Sequence, residues 1–115
     1  PNPSVEHWQI EAGDADVATP DIPPALGRAR RFDVDLHFVV QCPADGTRAW
    51  HALTVEVNGR REWSRRITTS NPGQSDGLDY HFRVELPVGA GLRVRALTRV
   101  FGATRRRLFI EATET

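Results

Sequence analysis

Apolar and polar residues alternate along most of this chain with a period of two, the mark of strands with one buried face. Arg31 to Gln41 is the cleanest run. Phe32, Val34, Leu36, Phe38 and Val40 fall on one side, and Asp33, Asp35, His37, Val39 and Gln41 on the other. Leu78 to Leu86 repeats the pattern with Leu78, Tyr80, Phe82, Val84 and Leu86 inward. Leu92 to Phe101 does so with Leu92, Val94, Ala96, Thr98 and Val100. Arg105 to Thr113 adds Leu108, Ile110 and Ala112, and Val5 to Glu11 forms a weaker first strand around Trp8 and Ile10. Two further runs flank Asn58-Gly59, a strong hairpin signal. Helical periodicity is absent throughout. Seven short strands predict an all-β, seven-stranded antiparallel two-sheet sandwich. It forms one domain over residues 1–115, with an edge strand at 5–12, a long Pro-containing connection at 13–30 and a sandwich body at 31–113.

Two places need more than parity. In the connection, Pro20, Pro23 and Pro24 remove backbone donors and fix φ, so no central strand persists there. Its length leaves room for a functional loop or a short edge segment. At the hairpin, a plain two-residue turn puts Leu53 and Val55 on the face opposite Trp63 and Ile67. A three-residue turn of Val57, Asn58 and Gly59, bulged at Gly59, pairs Leu53 with Trp63 and gathers all four apolar residues on one face. Burying Trp63 and Ile67 is worth a few kcal/mol at ~25 cal/mol per Å², so the bulged turn is expected, with Trp50, Thr54 and Glu56 outward.

The stretch Leu86-Pro87-Val88-Gly89-Ala90-Gly91-Leu92-Arg93-Val94-Arg95-Ala96 resembles the corner and sixth strand of fibronectin type III domains, a turn followed by alternating Val-x-Val-x-Ala. It departs from them at Leu92, where that family usually has a Tyr. The resemblance implies an immunoglobulin-like or fibronectin type III-like sandwich and no particular ligand. In that frame strands three, four, six and seven form one sheet and strands one, two and five the other. The sheet of strands three, four, six and seven then exposes Trp50, Arg60, Arg66, Arg93, Arg95, Arg99, Arg105 and Arg107, with Glu56, Glu62 and Glu111. The other exposes Asp33, Asp35, His37, Asp79, His81, Arg83 and Glu85.

Charge sharpens this picture. The chain is neutral overall, but all fifteen basic residues are Arg. Residues 1–24 hold five carboxylates and no Arg, and the rest of the chain holds every Arg. An acidic leading segment beside a basic body predicts either self-pairing or an exposed basic face. No apolar run approaches the ~18 residues of a membrane span. A single Cys, Cys42, excludes an internal disulfide. The start at Pro1-Asn2-Pro3 and the lack of Met read as a processed protein or an excised domain.

The chemistry on offer is mainly that of surfaces. Trp50, Arg93, Arg95, Arg99 and Arg107 are the candidate ligand-binding residues. Arg presents a planar fork to carboxylate and phosphate, and an aromatic ring offers a flat face to a sugar. The plain alternative is that these Arg pair with Glu56, Glu62, Glu111 or the acidic leading segment. His37, His81, Asp35 and Asp79 are the candidate metal ligands, imidazole and carboxylate on facing strands. Their alternative is a solvated polar face. No nucleophile elbow, phosphate loop or distinguished carboxylate pair occurs. The expected function is therefore a non-catalytic binding or interaction module without cofactor, its partner a protein or an anionic glycan rather than nucleic acid, as a monomer or weak oligomer. The alternatives are a structural spacer or assembly subunit, joined through an edge strand or the acidic segment, and a metal-binding accessory domain.

Overall fold

The long alternating runs build the two sheets of the molecule. The computed structural model describes residues 5–45 and 47–115. Pro1-Asn2-Pro3 and the Gly46 of the turn after Gln41 lie outside them. The strands are β1 (His7–Glu11), β2 (Val17–Ala18), β3 (Asp21–Ile22), β4 (Arg30–Gln41), β5 (Trp50–Val57), β6 (Arg60–Thr68), β7 (Ser75–Leu86), β8 (Leu92–Phe101) and β9 (Thr104–Glu114). One sheet runs β1-β9-β4-β7. The other runs β2-β8-β5-β6, with β3 also against β8. Every pairing is antiparallel. Phe32, Val34, Leu36, Phe38 and Val40 of β4 are fully buried between the sheets, against Leu53 and Val55 of β5 and Leu108 of β9. Each such side chain contributes roughly 1.5–3 kcal/mol on burial.

All seven expected strands are present, and the Pro-containing connection supplies one more. Val17 and Ala18 lie opposite Leu97 and Ala96, and Asp21 and Ile22 opposite Arg93 and Leu92. β2 and β3 are thus one edge strand interrupted at Thr19 and Pro20. Pro20 has no N–H to give, but its carbonyl accepts from Val94 N at 3.1 Å. β7 also begins three residues before the expected Leu78, at Ser75.

The sheet partition differs from the fibronectin-like frame. There β9 would sit beside β8, whereas it lies between β1 and β4. Among the described residues, counting β2 and β3 together, eight strands form two four-stranded sheets, and only β5 and β6 are consecutive neighbours in one sheet. That order is a jelly roll. Alternation reports which side of a strand is apolar and is silent on which sheet receives it. Here the decision falls at the turn between β8 and β9. Gly102 adopts φ 72°, and an added Cβ would stand 2.8 Å from the Arg48 carbonyl oxygen. The turn is pressed against the Arg48–Ala49 backbone and sends β9 across to the other sheet.

At the hairpin the face is as expected and the turn is not. Val57 pairs with Arg60 directly, with Asn58 at φ 49° and Gly59 at φ 84°. This is the left-handed two-residue turn that matches strand twist. The bulge comes a step later: Glu56 faces Arg61, Val55 faces Trp63, and Glu62 is the extra residue. Trp63 and Ile67 therefore share the inward face with Val55, while Leu53 lies opposite Arg65 rather than Trp63. Trp63 stacks on Tyr80 of β7 at 4.5 Å and 11°, closing the side of the sandwich between the two edge strands.

Candidate functional site

On the outer face of the second sheet, register fixes the neighbours. Trp50 lies between Thr68 and Phe101, Ala52 between Arg66 and Arg99, Thr54 between Ser64 and Leu97, and Glu56 between Arg61 and Arg95. Five Arg share this face with two carboxylates, and the carboxylates are taken. Asp21 holds Arg93 through two hydrogen bonds at 2.9 and 3.4 Å, which raises the guanidinium pKa above its ordinary value. Glu56 stands 3.6 Å from Arg95. Among the described residues, neither Arg66 nor Arg99 has a carboxylate within 4.0 Å.

The aromatic part is a short ladder across the same strands. The Arg66 guanidinium lies 4.9 Å from the Trp50 ring centroid. Phe101 stacks parallel to Trp50 at 6.2 Å and 11°. β6 and β8 flank β5, so the two approach Trp50 from opposite sides. Trp50 is consequently half-buried, and Phe101, 56% exposed, is the open ring. A groove of about 710 Å³ runs beside it, lined by Arg48, Ala49, Trp50, Arg66, Ile67, Thr68 and Phe101.

Of the residues singled out for ligand binding, Trp50, Arg93, Arg95 and Arg99 share this face. Arg107 does not. It sits on β9 in the other sheet, paired with Glu11 at 2.9 Å and lying 4.7 Å over Phe109. Arg105 leaves with it and donates to the hydroxyl and carbonyl of Thr98. Read from sequence, Phe101 shares the Arg-rich face with Trp50 and Arg66 is exposed on it, and the register places both there. Arg48 is the groove residue that the reading from sequence does not place on this face.

The four candidate metal ligands also come together, on the outer face of the first sheet. His37 lies opposite Asp79, and Asp35 opposite His81. They meet as two imidazole–carboxylate pairs, each at 2.9 Å. His7 and Glu111 make a third pair at 2.7 Å. Asp33 belongs to Arg83, whose hydrogen bond holds the carboxyl below the usual range. Among the described residues, no three His, Cys, Asp or Glu side chains gather as a group able to hold a metal ion.

Two buried groups escaped the reading from sequence. His51 is fully buried and its Nδ1 hydrogen-bonds the Thr69 hydroxyl at 2.7 Å, while Nε2 has no partner. Its phase with Leu53 and Val55 was the available signal. Arg30 is 6% exposed and donates to Glu6 at 2.9 Å and to the carbonyls of Pro23 and Ala90 at 2.8 and 3.1 Å. Arg28 joins Glu6 to Glu114 beside it. The nearby hollow of about 670 Å³ is lined by Arg30, Arg31, Glu85 and Glu114 among others, and Arg30 and Glu114 already have their partners in this network.

No helix among the described residues is long and apolar enough to cross a membrane. Neither the models of known protein families nor the curated proteins contain a match to this chain. Solved structures do. Dimeric latent PorU from Porphyromonas gingivalis is similar over 96% of this chain and 13% of its own, with 14% identity and a TM-score of 0.53. The CBM36-1 domain of a multidomain xylanase from the hindgut metagenome of Trinervitermes trinervoides is similar over 96% of this chain and 86% of its own, at 11% identity and a TM-score of 0.37. The infectious bursal disease virus Gt strain structure is similar over 95% and 31%, also at 11% and 0.37. At those scores the last two support no argument. The likeness to part of PorU shows the fold: this chain is a β-sandwich of a kind that also occurs within a much longer protein.

Proposed function

We propose that this chain is a non-catalytic binding module whose outer second-sheet face takes an anionic glycan. One observation carries the reading: Arg66 and Arg99 flank Ala52 without carboxylate partners, beside the open ring of Phe101. Their strands lie on either side of β5, so the two stems stand about 10 Å apart at two strand spacings. Ala52 leaves a low floor between them. A carboxylate or sulfate over that floor meets guanidinium forks on both sides, and the apolar face of a sugar ring lies against Phe101. Two observations support the non-catalytic part of the proposal. The paired imidazoles of the first sheet stand on a flat, solvated face, and the His51–Thr69 pair is shut away from solvent.

The test is titration of the protein with an oligogalacturonate and with its neutral methyl ester, at low and at physiological salt. The acidic form should bind, its affinity should fall with salt, and the ester should not bind. Arg66→Ala with Arg99→Ala should cost at least about tenfold, the loss of a charge-assisted contact or two. Arg107→Ala, on the opposite sheet, should change nothing. Equal binding of acid and ester, or indifference to the double substitution, refutes the proposal.

A further inference from the structure

Among the described residues the sandwich has four edge strands, and three are blunted against further pairing. β1 has five residues. β2 and β3 are broken at Pro20. β6 carries the bulge at Glu62. β7 differs: twelve residues pair with β4 without a single register shift, and the strand holds no Pro. We propose that β7 is an assembly edge, pairing antiparallel with β7 of a second copy about a twofold axis at His81.

Two hydrogen bonds fix which peptide groups are available. Cys42 N donates to the Gln74 carbonyl at 2.8 Å, in register with the Gln41–Ser75 pair. Thr115 N donates to the Arg31 carbonyl at 2.9 Å, so odd-numbered β4 residues address β9. The alternation of an antiparallel ladder then turns even-numbered β7 residues toward β4. It leaves the N–H and C=O of Asp79, His81, Arg83 and Glu85 at the open side, together with those of Gly77, whose N–H donates to Asp76 Oδ1 at 2.8 Å. A pair of His81 with its own copy is a hydrogen-bonded pair in this phase, as is Asp79 with the partner's Arg83, while Tyr80 with the partner's Phe82 is a non-hydrogen-bonded pair.

The side chains agree with that axis. With His81 opposite itself, Asp79 faces the partner's Arg83, and the reciprocal contact repeats it. Gly77 faces the partner's Glu85. Inward, Tyr80 lies beside the partner's Phe82. Centring on Asp79 or Arg83 puts like charges on the axis, and centring on Phe82 sets Asp79 against the partner's Glu85; cross-strand pairs of like charge are destabilising. The Asp79 and Arg83 side chains are 73% and 57% exposed, so both retain free surface despite their contacts to His37 and Asp33. The axis stands perpendicular to the joined sheet, so both copies present their Arg66–Arg99 faces on the same side. A polymeric ligand would then meet two sites at once.

Sedimentation velocity of the whole chain, carried up to millimolar concentration, tests this. A reversible dimer is expected. His81→Pro removes an outward N–H and the exposed imidazole contact to Asp35 and spares the β4 ladder, so it should weaken association by about tenfold or more with the loss of the inter-copy hydrogen bonds. His81→Cys should form a disulfide with its own copy on mild oxidation, since hydrogen-bonded antiparallel partners stand about 5.5 Å apart at Cα, within disulfide reach. Arg83→Cys, off the axis, should not. A chain monomeric at every concentration overturns the proposal, as does a dimer untouched by a folded His81→Pro. If that variant fails to fold, the cysteine pair decides: equal cross-linking at both positions, or none at 81, overturns it.

Discussion

Replacing Arg30 with Met tests what ties the Pro-containing connection to the sandwich. Arg30 starts β4 with its side chain only 2% exposed. It donates to Glu6 ahead of β1, to Pro23 after β3 and to Ala90 before β8, and lies 5.5 Å over Phe32. Met keeps length and apolar contact and removes all three donations. Hydrogen bonds to a charged group contribute roughly 1.5–3 kcal/mol each, so the gross loss is about 4–9 kcal/mol. Against this stands the relief of a buried guanidinium, several kcal/mol on its own account. Exposed Pro23 also regains water. The expected net cost is about 2–4 kcal/mol, below the usual 3–5 for stripping one partner from a buried pair. For a domain of this size that lowers Tm by roughly 8–16 °C, measured by calorimetry and by the urea midpoint. The loss should also be local. The Val94 amide, which donates to Pro20, should exchange faster, while amides in the middle of β4 slow or quicken only with global stability. A Tm within about 3 °C of the parent, a change under 1 kcal/mol, would refute the anchoring role, and so would unchanged exchange at Val94.

Three further outcomes follow from the same geometry. Glu114 is held below the usual carboxylate range, first by the hydrogen bond from Arg28 and then by the Glu6 amide. Its stabilising contribution is full above the unfolded-state pKa and lost as pH falls through the folded one. Acid melts should therefore show Tm falling below about pH 4.5, with a shallower fall in Glu114→Gln. Thr69→Val leaves His51 Nδ1 without its partner in the interior and should cost about 1–3 kcal/mol by chemical denaturation. Deleting Glu62 removes the bulge and leaves Trp63 inward, so Trp63 fluorescence should remain that of a shielded ring. Deleting Ser64 instead shifts Arg65, Arg66 and Ile67 by one position, exchanges their faces and should lower stability more.

Period-two alternation made β4, β7, β8 and β9 legible, together with their inward residues, because a strand buried on one face writes its burial directly into side-chain order. It could not assign strands to sheets. Arg99 and Arg107 look equivalent along the chain, each an outward Arg near an aromatic, yet the turn at Gly102 separates them onto opposite sheets. The hairpin shows a subtler limit. Parity demanded one extra residue somewhere between Val57 and Trp63, and burial of Trp63 set only that count. The twist preference of Asn58-Gly59 then kept the turn itself at two residues and moved the extra residue to Glu62. His37, Asp79, Asp35 and His81 lie on facing strands of one sheet. Whether such residues face one another as pairs or converge on a point depends on rotamers, which no spacing encodes.

The candidate face follows from how the acidic leading segment spends itself along the edges. Glu6 goes to Arg28 and Arg30, Glu11 to Arg107, and Asp21 to Arg93. Self-pairing and an exposed basic face, the two readings of the charge asymmetry, therefore hold in different places. Pairing acts where an acidic strand runs alongside a basic one, and it stops where that strand stops. β2 begins at Val17, opposite Leu97, and the contact runs on only to the Asp16 carbonyl, which accepts from the Thr98 amide and hydroxyl, one position short of Arg99. On the far side of Ala52, Arg66 stands on β6, an edge that the leading segment does not border. Arg66 and Arg99 thus stand where the chain's own acid has no strand to reach, and both border the same small floor. Other Arg, Arg61 on the same face among them, also have no carboxylate within 4.0 Å among the described residues. What sets Arg66 and Arg99 apart is position: they face one another across Ala52 beside the open ring of Phe101, the arrangement the proposed acidic ligand uses.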